Sequence, residues 1–543
     1  MTIQNRRIVV LQPKLHGLEI DPNWLSAANS RSSRRTRHPL VWLPLVILVS
    51  VFGSACSGQS ESPEPAPQQV AEPNFSAVQA ELMGAGGTFT NAWADIDGDG
   101  DSDLFVGFNG EPNRLYRNDN GVLVNVSEEL GMTTPRRTRS AAWGDFDLDG
   151  DPDMFLGLTG GEGEAITALL RNDGDRFVDV ASDIGLRLEE GTIRQAAWVD
   201  FDGDGDLDLF LGMRDRENVL FRNDRGQFQD VAGAVGVADA RRTVGALWFD
   251  YEQDGDLDLV VANMDGGANG LFRNHEGMFT DVAAEAGIAD GGRGIGDESY
   301  GTVRPCVVDY DADGWMDLFM ANYGPNALYH NEGNGRFRNV AGELGVAIDS
   351  HYDTCVFGDY DLDGRIDLFV NGTVAGDTQY RDYLLRNTED GFVDVTPPEL
   401  LTLNADHGAQ WVDFDGDGAL DLSLTGAPPT GMHYVMRNSR NDGEGGASIQ
   451  VLVVDAEGNA TRAGAEIRVY RAGTNELLGA QVVDSGSGYN SQNVAPVHFG
   501  LPGHGRVDVE VVFPRGGRRD VTRETGVDPS STAGNPVTIR TGG

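Results

Sequence analysis

Alternating aspartates in residues 200–208 give the sequence its clearest chemical signal. Aspartate occupies positions 1, 3, 5, 7 and 9 of this loop, and glycine occupies position 6. Carboxylates at alternate positions can converge on one Ca²⁺, and a glycine permits the sharp turn between them. An EF-hand loop begins in a similar way but needs Glu at position 12 and a helix on each side. Here position 12 is Leu211 and the flanks are short apolar runs of strand length, so we predict a calcium loop between two strands.

The loop recurs at a spacing of roughly fifty residues, a period typical of propellers and solenoids. The seven loops begin at Asp95, Asp145, Asp200, Asp250, Asp309, Asp359 and Asp413. In most units a Trp precedes the loop by two residues, as Trp198 does, and in each unit an Arg-Asn or His-Asn pair follows it, as at Asn223. A Phe-x-Asp/Asn-Val strand then follows in units two to six, as at Phe228, and the first unit has Leu123 in place of the Phe. Four short strands per unit is the content of a propeller blade, and simple hairpin turns would not keep four acids in register through every unit.

The two ends of the array predict that it closes on itself. The seventh unit reaches Asn438 without producing its final strand, while residues 74–82 match residues 336–344 at the Phe, Val, Glu and Leu positions. Borrowing this N-terminal segment as the outer strand of the last unit would remove an unpaired sheet edge. We therefore predict an all-β fold in which residues 74–440 form a closed, seven-bladed β-propeller.

The charge of the chain argues against a nucleic-acid partner. The 543 residues carry 85 acidic and 41 basic side chains, giving a formal net charge of −44. Calcium ions at the loops would offset part of this charge, and the remainder is expected on a solvated surface. Since the repeat region has no basic stripe, we predict no binding to nucleic acid.

The N-terminus predicts export. An apolar run at residues 40–52 follows a basic segment, and it is too short to span a membrane but right for a signal-peptide core. Gly53-Ser54-Ala55-Cys56 resembles a bacterial lipobox, which would make Cys56 the lipid-modified first residue, but it also suits ordinary signal cleavage. We predict a signal peptide over 1–56 and a disordered linker over 57–73. The protein would then lie at the outer membrane or cell surface, or otherwise be periplasmic or secreted.

Beyond the hinge at residues 441–446, the pattern changes to alternating strands without an aspartate ladder. We predict strands at 449–454, 465–470, 480–483 and 507–513. Residues 447–541 should therefore form a small C-terminal β-sandwich-like domain.

Two cysteines precede the fifth and sixth loops. Cys306 and Cys355 lie on strands that we expect to be neighbours near the ring axis. They either form a disulfide after export or remain two buried free thiols.

The repeats resemble the FG-GAP/VCBS family, best known from the head of integrin α chains. The tail resembles the ASPIC/UnbV domain through Gly486–Asn493 (Gly-Ser-Gly-Tyr-Asn-Ser-Gln-Asn) and His498–Leu501, although the usual Trp-Pro-Ser-Gly ending is Phe513–Gly516 here. The pairing is similar to the cartilage acidic protein family and its bacterial relatives. This resemblance implies calcium-dependent, extracellular binding or adhesion, with no established catalysis.

The resemblance also implies a ligand set for up to seven structural Ca²⁺ ions: the side chains at positions 1, 3, 5 and 9, with the backbone carbonyl oxygen at position 7. These residues are Asp95, Asp97, Asp99, Asp101 and Asp103; Asp145, Asp147, Asp149, Asp151 and Asp153; Asp200, Asp202, Asp204, Asp206 and Asp208; Asp250, Glu252, Asp254, Asp256 and Asp258; Asp309, Asp311, Asp313, Trp315 and Asp317; Asp359, Asp361, Asp363, Arg365 and Asp367; and Asp413, Asp415, Asp417, Ala419 and Asp421. Glu252 should weaken or reshape the fourth site. Trp315, Arg365 and Ala419 are tolerable at position 7 where only the carbonyl is used.

The loops all join the first strand of a blade to the second, so they share one face of the ring and the ligand-binding surface should be on the other. Two long insertions there, 289–305 and 372–383, carry Tyr and Arg side chains that suit protein or sugar recognition. The candidate residues are Arg293, Tyr300, Arg304, Tyr380, Arg381 and Tyr383. The alternative is that both insertions are merely tolerated.

The sequence has no His-x-x-x-His spacing, nucleophile elbow or phosphate loop. We therefore predict a non-enzymatic, monomeric binding or adhesion protein for protein or glycan ligands, which touches the membrane only through its N-terminal lipid. The alternative is a calcium-dependent protein that binds or degrades a polysaccharide, with lyase-type chemistry on an acidic sugar. The residues that could line one mouth of the channel for this purpose are Arg139, Arg194, Arg304, His351, Asp353, Asp406 and His407.

Overall fold

The computed structural model describes residues 72–161, 163–375, 378–439, 447–501, 503, 505–532 and 535–542. The predicted signal peptide, the lipidation at Cys56 and most of the predicted linker lie outside these residues. Within the described ranges, no helix has the length and apolar character needed to cross a membrane.

The described residues form an all-β fold, as predicted. The repeat region contains β1 (Phe75–Ala77), β2 (Thr88–Ala94), β3 (Asp103–Pro112), β4 (Arg114–Asn118), β5 (Leu123–Asn125), β6 (Pro135–Gly144), β7 (Asp153–Leu158), β8 (Thr167–Asn172), β9 (Phe177–Asp179), β10 (Ile193–Val199), β11 (Asp208–Met213), β12 (Val219–Asn223), β13 (Phe228–Asp230), β14 (Thr243–Phe249), β15 (Asp258–Asn263), β16 (Gly270–His275), β17 (Met278–Asp281), β18 (Gly301–Val308), β19 (Asp317–Pro325), β20 (Ala327–Asn331), β21 (Phe337–Asn339), β22 (Asp349–Gly358), β23 (Asp367–Gly372), β24 (Val374–Ala375), β25 (Thr378–Gln379), β26 (Tyr383–Thr388), β27 (Gly391–Asp394), β28 (Gly408–Val412), β29 (Asp421–Thr425) and β30 (His433–Asn438). The short helices are α1 (Ala80–Met83), α2 (Ala232–Val235) and α3 (Ala283–Ala286), with 3-10 turns at Leu400–Thr402 and Pro529–Ser531.

Across the described part of the repeat region, antiparallel pairing groups the main strands into sets of four, and the pairs β3–β6 and β19–β22 join two of these sets each into a larger sheet. The units are β2–β5, β6–β9, β10–β13, β14–β17, β18–β21, the set β22, β23, β26 and β27, and the set β28, β29, β30 and β1. In the third unit, for example, Trp198 pairs with Leu209 and Phe210 pairs with Leu220. Each acidic loop joins the first strand of its unit to the second, as the sequence predicts.

The N-terminal strand completes the last unit. β1 pairs antiparallel with β30, with Phe75 opposite Asn438 and Ala77 opposite Met436. This pairing confirms the predicted closure of the array, because the seventh unit takes its outer strand from the other end of the repeat region.

The Trp that precedes most of the loops packs between neighbouring units. Trp198 is buried against Phe146 and Phe155 of the unit before it, and Trp248 meets Phe210 in the same way. Burying a large apolar side chain contributes about 1.5–3 kcal/mol, so these contacts stabilise the ring at the junctions that have a Trp.

The Asn of each Arg-Asn or His-Asn pair ties its unit to the preceding one. Asn223 Nδ2 donates a hydrogen bond to the backbone carbonyl oxygen of Phe146, at position 2 of the preceding loop (3.0 Å). The equivalent bonds run from Asn118 to Phe414, Asn172 to Ile96, Asn274 to Phe201, Asn331 to Tyr251, Asn387 to Tyr310 and Asn438 to Tyr360. Because Asn118 of the first unit reaches the seventh, the series continues around the whole ring.

The C-terminal region forms two sheets that share one core. Its strands are β31 (Ala447–Val454), β32 (Glu466–Arg471), β33 (Leu477–Val482), β34 (Ser491–Gln492), β35 (Val497–Leu501), β36 (Val507–Pro514), β37 (Arg519–Val527) and β38 (Val537–Arg540). The sheet β35-β31-β38 packs against the sheet β33-β32-β36-β37 through buried side chains such as Ile449, Ile467 and Phe499. This is the sandwich-like arrangement predicted, with four strands that the sequence pattern did not indicate.

A disulfide joins two neighbouring units. Cys306 on β18 and Cys355 on β22 are bonded, with Cα atoms 6.3 Å apart. Of the two alternatives left open by the sequence, the structure has the bonded one.

Candidate functional site

Carboxylates converge inside the acidic loops. In the second, third and fifth loops, side-chain oxygens at positions 1, 3 and 9 lie within 4.8 Å of one another; in the first loop, positions 1, 3 and 5 do so. The third set consists of Asp200, Asp202 and Asp208. In the fifth loop, His330 Nδ1 lies 3.3 Å from Asp317 Oδ1, so the His-Asn pair brings a further donor atom close to the carboxylates.

Backbone hydrogen bonds hold each loop in this shape. Asp200 Oδ2 accepts a hydrogen bond from Gly205 N–H (3.1 Å), which fixes the turn at position 6. Asp208 accepts hydrogen bonds from the N–H groups of Phe201 (3.2 Å) and Asn223 (2.8 Å). The position-9 carboxylate accepts the two equivalent bonds in all the other loops.

In three loops the side chain at position 7 makes a hydrogen bond outside the carboxylate cluster. The carboxylate there accepts a backbone N–H from the turn after the Asn: Asp101 from Asn120, Asp206 from Arg225, and Asp256 from Glu276. A residue without a carboxylate at this position therefore loses a turn contact. The backbone carbonyl at position 7 stays a predicted ligand.

Burial and mutual repulsion make the loop carboxylates costly to ionise. Burial, with smaller contributions from Asp204 and Asp202, raises the pKa of Asp200 to about 7. Burial also raises the pKa of Asp153 to about 9. Asp200 Oδ1 is buried with no hydrogen-bond partner. Carboxylates in such surroundings need a cation or protons to offset their charge.

The donor set fits Ca²⁺. Calcium binds carboxylate and carbonyl oxygens with flexible geometry, and these loops offer clustered oxygens on a tightly turned backbone. Asp200, Asp202, Asp204 and Asp208 would hold the ion in the third loop. A bound divalent ion would supply the positive charge that these carboxylates lack.

The C-terminal domain covers the face of the ring that carries the acidic loops. Arg515 Nε donates to the carbonyl oxygen of Gly203 in the third loop (2.9 Å), and Gly517 N–H donates to Asp256 Oδ1 in the fourth (2.6 Å). Arg468 reaches the carbonyl of Gly314 in the fifth loop (3.1 Å). Further contacts run from Ser448 and His498 to Gly418 in the seventh loop.

A segment of the same domain enters the centre of the ring. Residues 485–494, called here the plug, follow the channel along the inner strands. β34 pairs parallel with β6, Ser491 opposite Ala141, and the Gln492 side chain bonds both backbone groups of Trp198. The plug contains the Gly-Ser-Gly-Tyr-Asn-Ser-Gln-Asn motif, whose structural role is thus to fill the channel.

Two glycines let the plug pass between the inner strands. Gly488 has a φ of +59°, and a Cβ there would collide with the Gln410 amide. A Cβ on Gly486 would lie 2.5 Å from the carbonyl oxygen of Ala246. Side chains at these two positions would prevent the observed insertion.

Tyr489 is at the tip of the plug, inside a ring of seven equivalent residues. Each of them lies six residues before the first Asp of its loop: Phe89, Arg139, Arg194, Val244, Val303, Asp353 and His407. Arg194 donates to the Tyr489 hydroxyl (2.6 Å), and the His407 and Tyr489 rings lie 3.8 Å apart. Val244 and Val303 pack against Tyr489 in a small apolar cluster.

β-bulges turn these residues toward the axis. In units one to six the inner-strand register shifts at the central residue, for example between Ile193 and Gln195 on either side of Arg194. Four of the seven residues predicted for one mouth of the channel, Arg139, Arg194, Asp353 and His407, come together in this ring. The constant offset of six residues is the signal that would have identified the whole set.

The polar members of this ring form a buried network. His407 Nδ1 lies 2.6 Å from Asp353 Oδ2, and Tyr323 donates to Asp353 Oδ1 (3.0 Å). Burial opposes ionisation of Asp353, but His407 and the Thr373 hydroxyl outweigh it and lower the pKa of this carboxyl. Asp406, also grouped at this mouth, accepts a hydrogen bond from Gln379 (2.7 Å), and burial raises its pKa to about 6.

Two of the six residues predicted for an exposed ligand surface are buried, so the prediction is wrong for them. Arg293 is 8% exposed and donates to the carbonyl oxygens of Asn263 and Gly267. Arg304 is 0% exposed and bonds Gln195 and Asn490 inside the channel.

The other four predicted residues are partly or fully exposed. Tyr380 stacks on His351, with ring centroids 4.4 Å apart. Arg381 pairs with Asp394 (2.7 Å) and lies over the Tyr383 ring. Tyr300 is half-buried on the insertion before β18.

Family comparisons match both regions of the chain. A model described as FG-GAP-like repeat matches residues 95–156, 200–261 and 309–370, and a model described as ASPIC and UnbV matches residues 455–533. Cartilage acidic protein 1 of Homo sapiens is 29% identical over 277 residues, which cover 47% of this chain and 39% of that protein. The Xenopus tropicalis protein of the same name is 26% identical over 280 residues, with 47% and 39% covered. The matched region is thus well under half of these relatives.

Solved structures with a similar chain course include a rhamnogalacturonan lyase of Bacillus licheniformis, with a TM-score of 0.35 and 12% identity, over 67% of this chain and 75% of that one. An Agrocybe aegerita lectin described as recognising non-reducing terminal N-acetylglucosamine has a TM-score of 0.36 and 16% identity, over 68% and 94%.

Proposed function

Since this chain carries FG-GAP-like repeats followed by an ASPIC/UnbV domain, we propose that it is an exported calcium-dependent binding protein that holds a protein or glycan ligand outside the cell. The observation that carries the proposal is the repeated convergence of loop carboxylates, which positions 1, 3 and 9 bring within 4.8 Å. Calcium in these loops fixes the ring, and the ring presents the binding surface.

The C-terminal domain covers the face of the ring that carries the acidic loops, and this favours ligand binding on the opposite face. Arg515, Gly517 and Arg468 of the C-terminal domain contact the loops, so this face is engaged within the chain. The opposite mouth carries the half-buried Arg139 and Arg194, which leave side-chain area for a ligand.

The disulfide supports the proposal that the protein is exported. Cys306 and Cys355 are bonded, and disulfides persist mainly outside the reducing cytosol. The signal-peptide pattern before residue 57 points the same way, with Cys56 as the candidate anchor.

The test is a calcium-dependence experiment on the mature chain. Thermal unfolding and binding to a panel of immobilised glycans and extracellular proteins are measured with CaCl₂ and with EGTA. We expect calcium to raise the melting temperature and to be required for binding. Equal melting temperatures with no calcium bound at equilibrium dialysis would overturn the proposal.

A polysaccharide lyase is the second candidate. It is favoured by the His407–Asp353 pair, which lies beside Arg194 and Tyr489. However, Tyr489 is 1% and His407 8% exposed, and a general base must reach the proton that it removes. Unsaturated uronate products absorb in the ultraviolet, so release of such products from uronate polymers would establish the lyase over the binding protein.

A further inference from the structure

The fifth acidic loop differs from the other six in the side chain that comes back to it from the third strand of its unit. In the other units the residue before the Asn is an arginine: Arg117, Arg171, Arg222, Arg273, Arg386 and Arg437. Such an arginine can pair with its own loop, as Arg437 Nε does at 2.6 Å from Asp415 Oδ2. The fifth unit has His330 at this place. A permanent cation is thus replaced by a side chain that binds metals when it is neutral.

The His330 imidazole faces the carboxylates of the fifth loop. Its Nδ1 lies 3.3 Å from Asp317 Oδ1 and 3.6 Å from Asp311 Oδ2. Ligand atoms of Asp311, Asp313 and His330 all lie within 4.8 Å of one another, and those of Asp309, Asp311 and Asp317 form a second such set. Asp311 belongs to both sets, so a nitrogen donor adjoins the predicted calcium ligands.

The ring nitrogen of His330 has no other use in the fold. Nδ1 is buried and makes no hydrogen bond within the described part of the chain. Asp317 Oδ1, its nearest neighbour, instead accepts the Asn331 N–H at 2.7 Å. The Tyr310 ring packs edge-on against the imidazole, with centroids 6.0 Å apart, and holds its orientation. Leaving a buried polar atom without a partner is costly, and a bound cation would remove this cost.

An ion can reach these donors from solvent. Asp311 and Asp313 are exposed. Asp309 and Asp311 also line a cavity of about 290 Å³, bounded by the sixth loop and by residues 478–481 of the C-terminal domain. The donor atoms are therefore accessible without any opening of the ring.

We infer that the fifth loop binds a divalent transition-metal ion, with Zn²⁺ as the expected species. His330 Nδ1 supplies the nitrogen ligand, and the carboxylates of Asp311 and Asp313 are its nearest oxygen partners. Asp309 and Asp317, which are 3% and 0% exposed, supply the remaining negative charge. The inference goes beyond the proposed function, because it concerns the ion that one loop selects and not the ligand that the ring holds.

The donor set favours zinc over calcium at this loop. Calcium binds oxygen ligands, whereas imidazole nitrogen suits Zn²⁺ and related ions. Zinc lies about 2.0–2.2 Å from its nitrogen and oxygen ligands, so donor atoms 3.3 or 3.6 Å apart can share one such ion. An arginine in the equivalent position has no lone pair to offer, and the loops that carry one remain oxygen sites.

The test measures zinc binding to the mature chain in saturating CaCl₂. Calorimetry with ZnCl₂ gives the affinity, and mass spectrometry after dialysis gives the number of ions bound per chain. We expect one Zn²⁺ that calcium does not displace, and X-ray absorption at the zinc edge should show an imidazole ligand. Zinc that calcium displaces, or that has only oxygen ligands, would overturn the inference.

Two substitutions at His330 localise the ion. His330→Gln removes the nitrogen donor without adding charge, and His330→Arg gives the fifth unit the residue of the other six. Loss of even an outer-shell partner weakens metal binding roughly 10–100-fold, so both variants should bind Zn²⁺ at least tenfold more weakly. His275→Gln, at an exposed position at the end of β16, is the control and should bind zinc like the wild type.

Circular dichroism and the rise in melting temperature with CaCl₂ establish that the His330 variants are folded. Folded variants that bind zinc like the wild type would show that the ion is held elsewhere, and the inference would be wrong. If the wild type binds no zinc while calcium still raises its melting temperature, the inference fails and the proposed function stands. If zinc binds through His330 while calcium has no effect, the inference stands and the proposed function fails.

Discussion

Arg519 Nε of the C-terminal domain lies 3.6 Å from Asp250 Oδ2 in the fourth acidic loop. Its other nitrogens bond Glu466 (2.5 Å) and Gln253 (2.8 Å). A fixed cation therefore already stands beside the position-1 carboxylate of this loop, which is also the loop with Glu252 in place of Asp.

We expect this loop to bind calcium more weakly than the third loop. Asp200→Asn should remove one bound Ca²⁺ per chain, because the third loop has a full aspartate set, whereas Asp250→Asn should leave the number unchanged. Bound calcium per chain, measured by mass spectrometry after dialysis, checks this. Asp175→Asn, an exposed residue outside the loops, is the control. Loss of one ion in both loop variants would contradict the expectation.

Asn223→Ala should destabilise the ring. The side chain donates to the carbonyl oxygens of Phe146 and Leu207 and accepts from Gly226 N–H. Leaving buried backbone groups unsatisfied costs about 1–3 kcal/mol each. Urea unfolding should therefore show a lower midpoint, while Asn334→Ala at an exposed turn should not change it. An unchanged midpoint for Asn223→Ala would mean that this bond does not hold neighbouring units together.

Gly488→Ala should expel or strain the plug. The new Cβ would overlap the Gln410 amide, and the backbone has a φ of +59°. We expect a loss of about 1–3 kcal/mol, the usual cost of overpacking, together with faster proteolysis of the C-terminal domain.

Gly505→Ala is the matched control, because a Cβ there meets no heavy atom within 4 Å. If both variants melt and digest alike, the plug does not contribute to stability.

His433 should make the ring sensitive to acid. Burial, helped by Arg114, lowers the pKa of His433 to about 3, against about 6.5 in an unfolded chain. The neutral His433 imidazole therefore makes its full contribution to the free energy of unfolding above pH 6.5. This contribution is lost as the pH falls from 6.5 toward 3, at roughly 1.4 kcal/mol per pH unit.

His433→Gln removes this titration. In EGTA, the decrease in unfolding free energy between pH 7 and pH 5 should be smaller for this variant than for the wild type. Identical pH profiles would show that His433 is protonated in the folded ring or does not affect its stability.

The acidic loops and the closure of the ring could be predicted because both are encoded locally. The aspartate ladder fixes a turn through its own hydrogen bonds, such as that from Gly205 N–H to Asp200. The match between residues 74–82 and an internal strand likewise requires only the sequence, and β1 pairs with β30 as expected.

Strand alternation alone does not predict which residues face the channel, although several of them were predicted for one of its mouths. A bulge at Arg194 breaks the two-residue period of β10, and a one-residue shift moves a side chain to the other face. Arg304 was predicted both on an exposed insertion and at one mouth of the channel, and because β18 begins at Gly301 it lies at the axis. The role of Tyr489 depends on contacts hundreds of residues away, which no local pattern reports.

The strand that completes the seventh unit also determines when the ring can close during synthesis of the chain. β1 is the first strand of the described chain to leave the ribosome, and its partner β30 is the last strand of the ring. No nascent chain can close the circle until Asn438 has emerged. The plug, residues 485–494, is synthesised later still. It therefore either enters the channel after the ring has closed or is enclosed while the ring closes.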